Sequence, residues 1–101
     1  MIIYNVTIKI DHSIHDEWVQ WMKGEHIPDL MQTGLFTDAR LCRLLEQDET
    51  DGSTYAAQYF CKSLEEYNQY ISNHATQMRE KGFAKFGNKF IAFRTVMEII
   101  S

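Results

Sequence analysis

The stretch Glu25-His26-Ile27-Pro28-Asp29 is where residue types and spacing come nearest to chemistry. Histidine titrates near neutrality, so His26 could accept a proton as a general base or contact a ligand, with the Asp29 carboxylate three residues on. The favoured reading is that it caps a broken helix or packs beneath a loop, since one histidine without an identified orienting partner does not define a catalytic site. Arg94 could hold a carboxylate or enolate oxygen through charge-assisted hydrogen bonds. It could instead pair with Glu98, two strand residues away on the same face. Asn5, Thr7 and Gln58 are further candidates for ligand contact, the facing of Gln58 being ambiguous. Trp18 and Trp21 could stack on an aromatic ligand, but their helical spacing fits a core-facing stripe.

Other chemistries lack their residues. Two cysteines and four histidines show no CxxC or HxxxH spacing, so no metal site is expected. Cys42 and Cys61 read as two buried thiols in a reducing compartment, without a disulfide. His12 and His15 flank a helix start and read as solvated, and His74 reads as a core histidine. The Asp48 to Asp51 turn lacks the loop length of an EF-hand. No nucleophile, phosphate loop or cofactor motif stands out. A net charge of −4, with ten basic residues spread along the chain, argues against nucleic-acid binding and against an anionic membrane surface. Neither a signal peptide nor a transmembrane run is apparent, so a soluble cytoplasmic protein is expected.

The elements that would position these residues follow from periodicity. Ile2 to Ile10 alternates, with Ile2, Tyr4, Val6, Ile8 and Ile10 on one face and Ile3, Asn5, Thr7 and Lys9 on the other. Ser13 caps a helix carrying Ile14, Trp18, Trp21 and Met22, which Pro28 should kink or end. Phe36 to Glu46 and Thr54 to Cys61 form a hairpin around the polar Gln47 to Ser53 segment, where Asp51-Gly52 is a turn signal. Ser63-Leu64-Glu65-Glu66 is a capping box for a second helix, with Gly82 as its stop. Ile91 to Ile100 alternates again, with Phe93 and Met97 expected to be buried.

The order β-α-β-β-α-β, in one domain of residues 1–101, predicts a ferredoxin-like α+β sandwich. Both helices should lie on one face of a four-stranded antiparallel sheet. The opposite face, with Ile3, Asn5, Thr7, Ala92, Arg94 and Val96, is too apolar to stay solvated. Pairing with a second copy would cover it, giving a homodimer.

The Trp18-x-x-Trp21 pair, the His26-Ile27-Pro28-Asp29 stretch and the segment Lys85 to Thr95 resemble the dimeric α+β barrel superfamily. Within it, the chain looks like a family of short bacterial proteins grouped as a domain of unknown function. The resemblance implies the fold and dimerisation. The superfamily includes cofactor-independent monooxygenases, lactone isomerases and haem enzymes, whose catalytic sets find no residue-by-residue match here. Two readings follow. One is a non-catalytic dimer binding a small metabolite or a protein partner. The other is a cofactor-independent monooxygenase or isomerase, with His26 as proton acceptor and Arg94 or Asn5 stabilising an oxyanion. A cavity lined by convergent polar groups beside His26 would favour the second of these, a small-ligand protein with its pocket between sheet and helices, and a cavity filled by side chains would favour the non-catalytic dimer.

Overall fold

A computed structural model describes residues 1–101. Four strands, β1 (Ile2–Ile10), β2 (Asp38–Arg43), β3 (Ser53–Cys61) and β4 (Phe90–Glu98), form one antiparallel sheet in the order β2-β3-β1-β4. β1 is paired on both sides, Tyr4 lying opposite Tyr59 of β3 and Val96 of β4. Its even-numbered residues are buried beneath the helices, as the alternation predicts. Tyr4 sits at the centre, with the rings of Tyr59, Tyr67 and Tyr70 at 5.9, 5.5 and 5.6 Å.

The first helical segment is continuous but not uniform. α1 (His15–Trp21) passes through a π turn, Met22–His26, into α2 (Ile27–Gln32). Asp11, rather than Ser13, caps its entry by accepting the Ser13 amide at 2.8 Å. Pro28 has no amide to offer Gly24, and its ring would crowd that carbonyl in a regular helix. The chain instead widens by one residue, the Ile27 amide reaching back five positions to the Met22 carbonyl. The helix therefore does not end at the proline.

The second helical segment also departs from expectation. α3 (Leu64–Asn73), capped by Ser63 on the Glu65 amide, breaks at His74 and resumes as α4 (Ala75–Phe86). Gly82 does not stop it. Gly82 is buried in mid-helix, where an added Cβ would lie 3.4 Å from the Trp21 ring. That is ordinary van der Waals contact, so the position lies against the tryptophan without requiring glycine. The stop is Gly87, whose φ of +60° suits glycine.

Register corrects the reading of β4. Val6 pairs with Arg94 and Tyr4 with Val96, so Ala92, Arg94 and Val96 lie on the helix side. Phe93 and Met97, expected in the core, face the open side with Ile91 and are 66%, 38% and 59% exposed. Among the other residues expected in the core, Trp21, Tyr67 and Ile71 are half-buried. Cys61 is buried but Cys42 is exposed, and register places them on opposite faces of the sheet, so they cannot bridge.

Gly52 provides a direct test of this packing. Its φ is +149°, and a Cβ there would sit 2.1 Å from the Ile10 carbonyl oxygen. Gly52→Ala should cost about 3 kcal/mol or abolish folding, whereas Gly24→Ala, with nothing within 4 Å, should cost far less. Urea unfolding of the two variants checks this. Equal losses would show that β1 and the loop before β3 do not meet as described.

Candidate functional site: a cavity between sheet and helices

The π turn determines where His26 lies. Residues five apart in a regular helix point ~140° from each other at ~3.6 residues per turn. The extra residue brings His26 back over Trp21, and the two rings stack at 4.6 Å and 24°. Trp21 is in turn braced edge-on by Phe86 at 5.4 Å and seated against Gly82.

Beneath these groups is a cavity, with about 70 Å³ open to the centres of water molecules. One water needs ~10–15 Å³ on that measure, so the space suits several waters or a small ring. Its walls are largely apolar, with Val6, Trp18, Met22, Leu30 and Phe86 among them. Two polar atoms among its lining residues are buried without a partner, Nδ1 of His26 and the hydroxyl of Tyr59. Native structures leave few such groups unpaired, and each costs ~1–3 kcal/mol of lost hydration.

Electrostatics follow from burial. Desolvation drives the His26 imidazole down from 6.5 to about 4, Asp29 opposing and Lys81 and Arg94 reinforcing the shift. Burial likewise raises the Tyr59 and Tyr70 phenols, so both stay protonated. His26 is therefore a neutral ring at pH 7 and a weak proton acceptor. Asp29 does not orient it, because the Asp29 carboxylate faces Lys81 Nζ at 3.5 Å.

The other residues proposed from sequence divide between the two faces. Arg94 lines the cavity with His26, and Arg79 of α4 joins it there. Neither arginine has an ion-pair partner; the bridges run between Arg43 and Glu49, Lys81 and Asp29, and Lys85 and Glu17, with His15 beside Asp16. The pairing of Arg94 with Glu98 is thus not formed. Asn5, Thr7 and Gln58 lie together on the open sheet face, away from this cavity. There the Asn5 amide donates to Thr7 and Thr95 hydroxyls at 3.1 and 3.3 Å, and Gln58 lies opposite Asn5. Sequence reasoning missed Tyr59, Arg79 and Gly82. Alternation with Tyr55 and Ala57 was the one available signal for Tyr59.

Two substitutions test the burial. A base with a lowered folded pKa contributes stability that is full above ~6.5 and is lost as pH falls toward about 4. Urea titrations at several pH values should show the wild-type chain losing up to about 3 kcal/mol from this group across that window. His26→Gln should lack that component, and parallel curves would mean an imidazole that protonates freely. Tyr59→Phe removes a hydroxyl without a partner, so stability should hold or rise by about 1 kcal/mol. A clear loss in thermal melts would show that the hydroxyl has a partner in the free protein.

The comparisons with known proteins bear on fold and family. The sequence profile of a domain of unknown function, DUF4286, matches residues 1–100. No curated protein matches the sequence. Among solved structures, a dimeric ferredoxin-like protein from an uncultured marine organism superposes with a TM-score of 0.76 at 7% identity, over 99% of this chain and 95% of that one. A hydroxynitrile lyase from Passiflora edulis gives 0.61 at 14%, over 99% and 96%. An antibiotic biosynthesis monooxygenase gives 0.63 at 13%, over the whole of both chains. At such identities the likeness extends to the ferredoxin-like α+β fold alone.

Proposed function

The chain belongs to the DUF4286 family, and from that premise we propose that it is a homodimeric, non-catalytic protein that binds a small organic molecule in the cavity between sheet and helices. The observation that carries this reading is the pair of buried polar atoms without partners, His26 Nδ1 and Tyr59 OH, on residues lining one apolar cavity. A ligand hydroxyl or carbonyl reaching either group would recover the hydrogen bonding that folding removed. Binding is favoured over catalysis because His26 is a weak base without an orienting carboxylate.

The dimer is supported by the uncovered sheet face, where Ile91, Phe93 and Met97 are exposed beside Ile3 and Phe60. Three strands ~30 Å long and one ~20 Å long, ~4.8 Å apart, offer roughly 530 Å² in projection, about two-thirds of the ~800 Å² of accessible area each partner of a standard interface hides. The solved marine relative is likewise described as dimeric. No helix is long and apolar enough to cross a membrane. Two thiols on opposite sheet faces fit a reducing bacterial cytoplasm. The acidic balance fits a small molecule better than a nucleic acid.

Both parts are measurable. Light scattering should give about 24 kDa, twice the 11.9 kDa chain. Phe93→Asp should yield monomer or unfold the chain, while neutralising Asp48 in the distant turn should leave the mass unchanged. A mass near 12 kDa for the wild-type chain at every concentration would sink the dimer. Phenol, a small neutral ring with one hydroxyl, should perturb the fluorescence of Trp18 and Trp21. At ten times its Kd it should stabilise the chain by about 1.4 kcal/mol, a rise of roughly 6 °C in Tm. No response at tens of millimolar would sink the cavity as a ligand site.

A further inference from the structure

Arg79 and Arg94 are the charged groups in the cavity lining, and they come from different elements, α4 and β4. Both are exposed, and neither is neutralised by an acidic side chain. The chain carries net charge −4, so two exposed, unpaired guanidiniums in the lining of one cavity run against its overall balance. The cavity thus combines an apolar body, uncharged hydrogen-bonding groups in its depth and two fixed positive charges toward solvent. Guanidinium presents a planar fork of donors that matches a carboxylate.

Building on the ligand-binding reading above, we propose that the ligand is a compact organic carboxylate, its apolar or aromatic body in the cavity and its carboxylate held by Arg94 and Arg79. A hydroxyl or carbonyl at the far end of that body would meet Tyr59 or His26. The order of polarity along the ligand is therefore fixed: anion at the mouth, apolar middle, neutral polar group inside. A neutral molecule would satisfy the inner groups and leave the arginines to water.

The test compares 4-hydroxybenzoate with phenol, which lacks the carboxylate, by calorimetric titration of the full chain. The carboxylate should bind at least about tenfold more tightly. Arg94→Gln and Arg79→Gln should each remove much of that gain while leaving phenol affinity within about twofold, which also shows that the variants fold. Lys62→Gln, the same charge change away from the cavity, should alter neither affinity. Phenol binding equal to or tighter than 4-hydroxybenzoate would overturn the carboxylate assignment while leaving the cavity as a ligand site. So would a carboxylate preference that both arginine variants retain. Failure of both probes to bind would overturn the assignment and the ligand-binding reading together.

Discussion

The structure depends on β1 being the inner strand of a sheet that has helices on one side only. Both β3 and β4 take their register from it. The even-numbered residues of β1 build the helix-side core and one wall of the cavity. The odd-numbered residues Ile3, Asn5, Thr7 and Lys9 face the other way, without a covering element from the same chain. A one-residue slip would exchange the two sets, burying Lys9 and exposing Tyr4. The five apolar residues at even positions make that slip prohibitive, so one strand settles which side of every neighbour faces inward.

The second constraint is local. Pro28 cannot complete a regular helix, and the chain responds with a wider turn instead of a break. The widened turn lays His26 on Trp21, whose ring packs against Gly82 of α4 and the edge of Phe86. A proline that weakens a helix thus sets the position of one imidazole at the cavity. Such compromises concentrate where function outweighs local stability. The orphaned His26 Nδ1 and Tyr59 hydroxyl belong to the same pattern.

Much of the fold was legible because its signals were local. The alternation of β1, the Ser63 cap and the order of elements need only neighbouring residues to interpret. The facing of β4 was not legible. Its two sides, Phe93 with Met97 and Ala92 with Val96, are both apolar, so alternation indicates a strand without saying which side is in. That depends on the parity of pairing with β1, in which even residues meet even ones. An expectation that the larger side chains lie inside fails for an edge strand whose open face is itself apolar. Arg94 was consequently placed on the wrong side, although its candidacy as a ligand contact did not depend on that side. The site was half legible: His26 stood out by its motif, while Arg79 and Gly82 meet the cavity only through the packing of α4 against Trp21.

β4 also ties the two surfaces together. Alternate residues along it face opposite ways, Arg94 toward the cavity and Phe93 toward the uncovered sheet face. As an edge strand it is hydrogen-bonded on one side only, to β1. Covering Phe93 and Met97 with a second copy would fix the strand from the open side. It would fix Arg94 at the cavity mouth by the same rigid peptide geometry. A ligand that engages Arg94 would in turn restrain the backbone that presents Phe93. The proposed interface and the proposed ligand contact therefore meet on one strand, at neighbouring residues whose side chains are fixed to opposite faces by the same backbone.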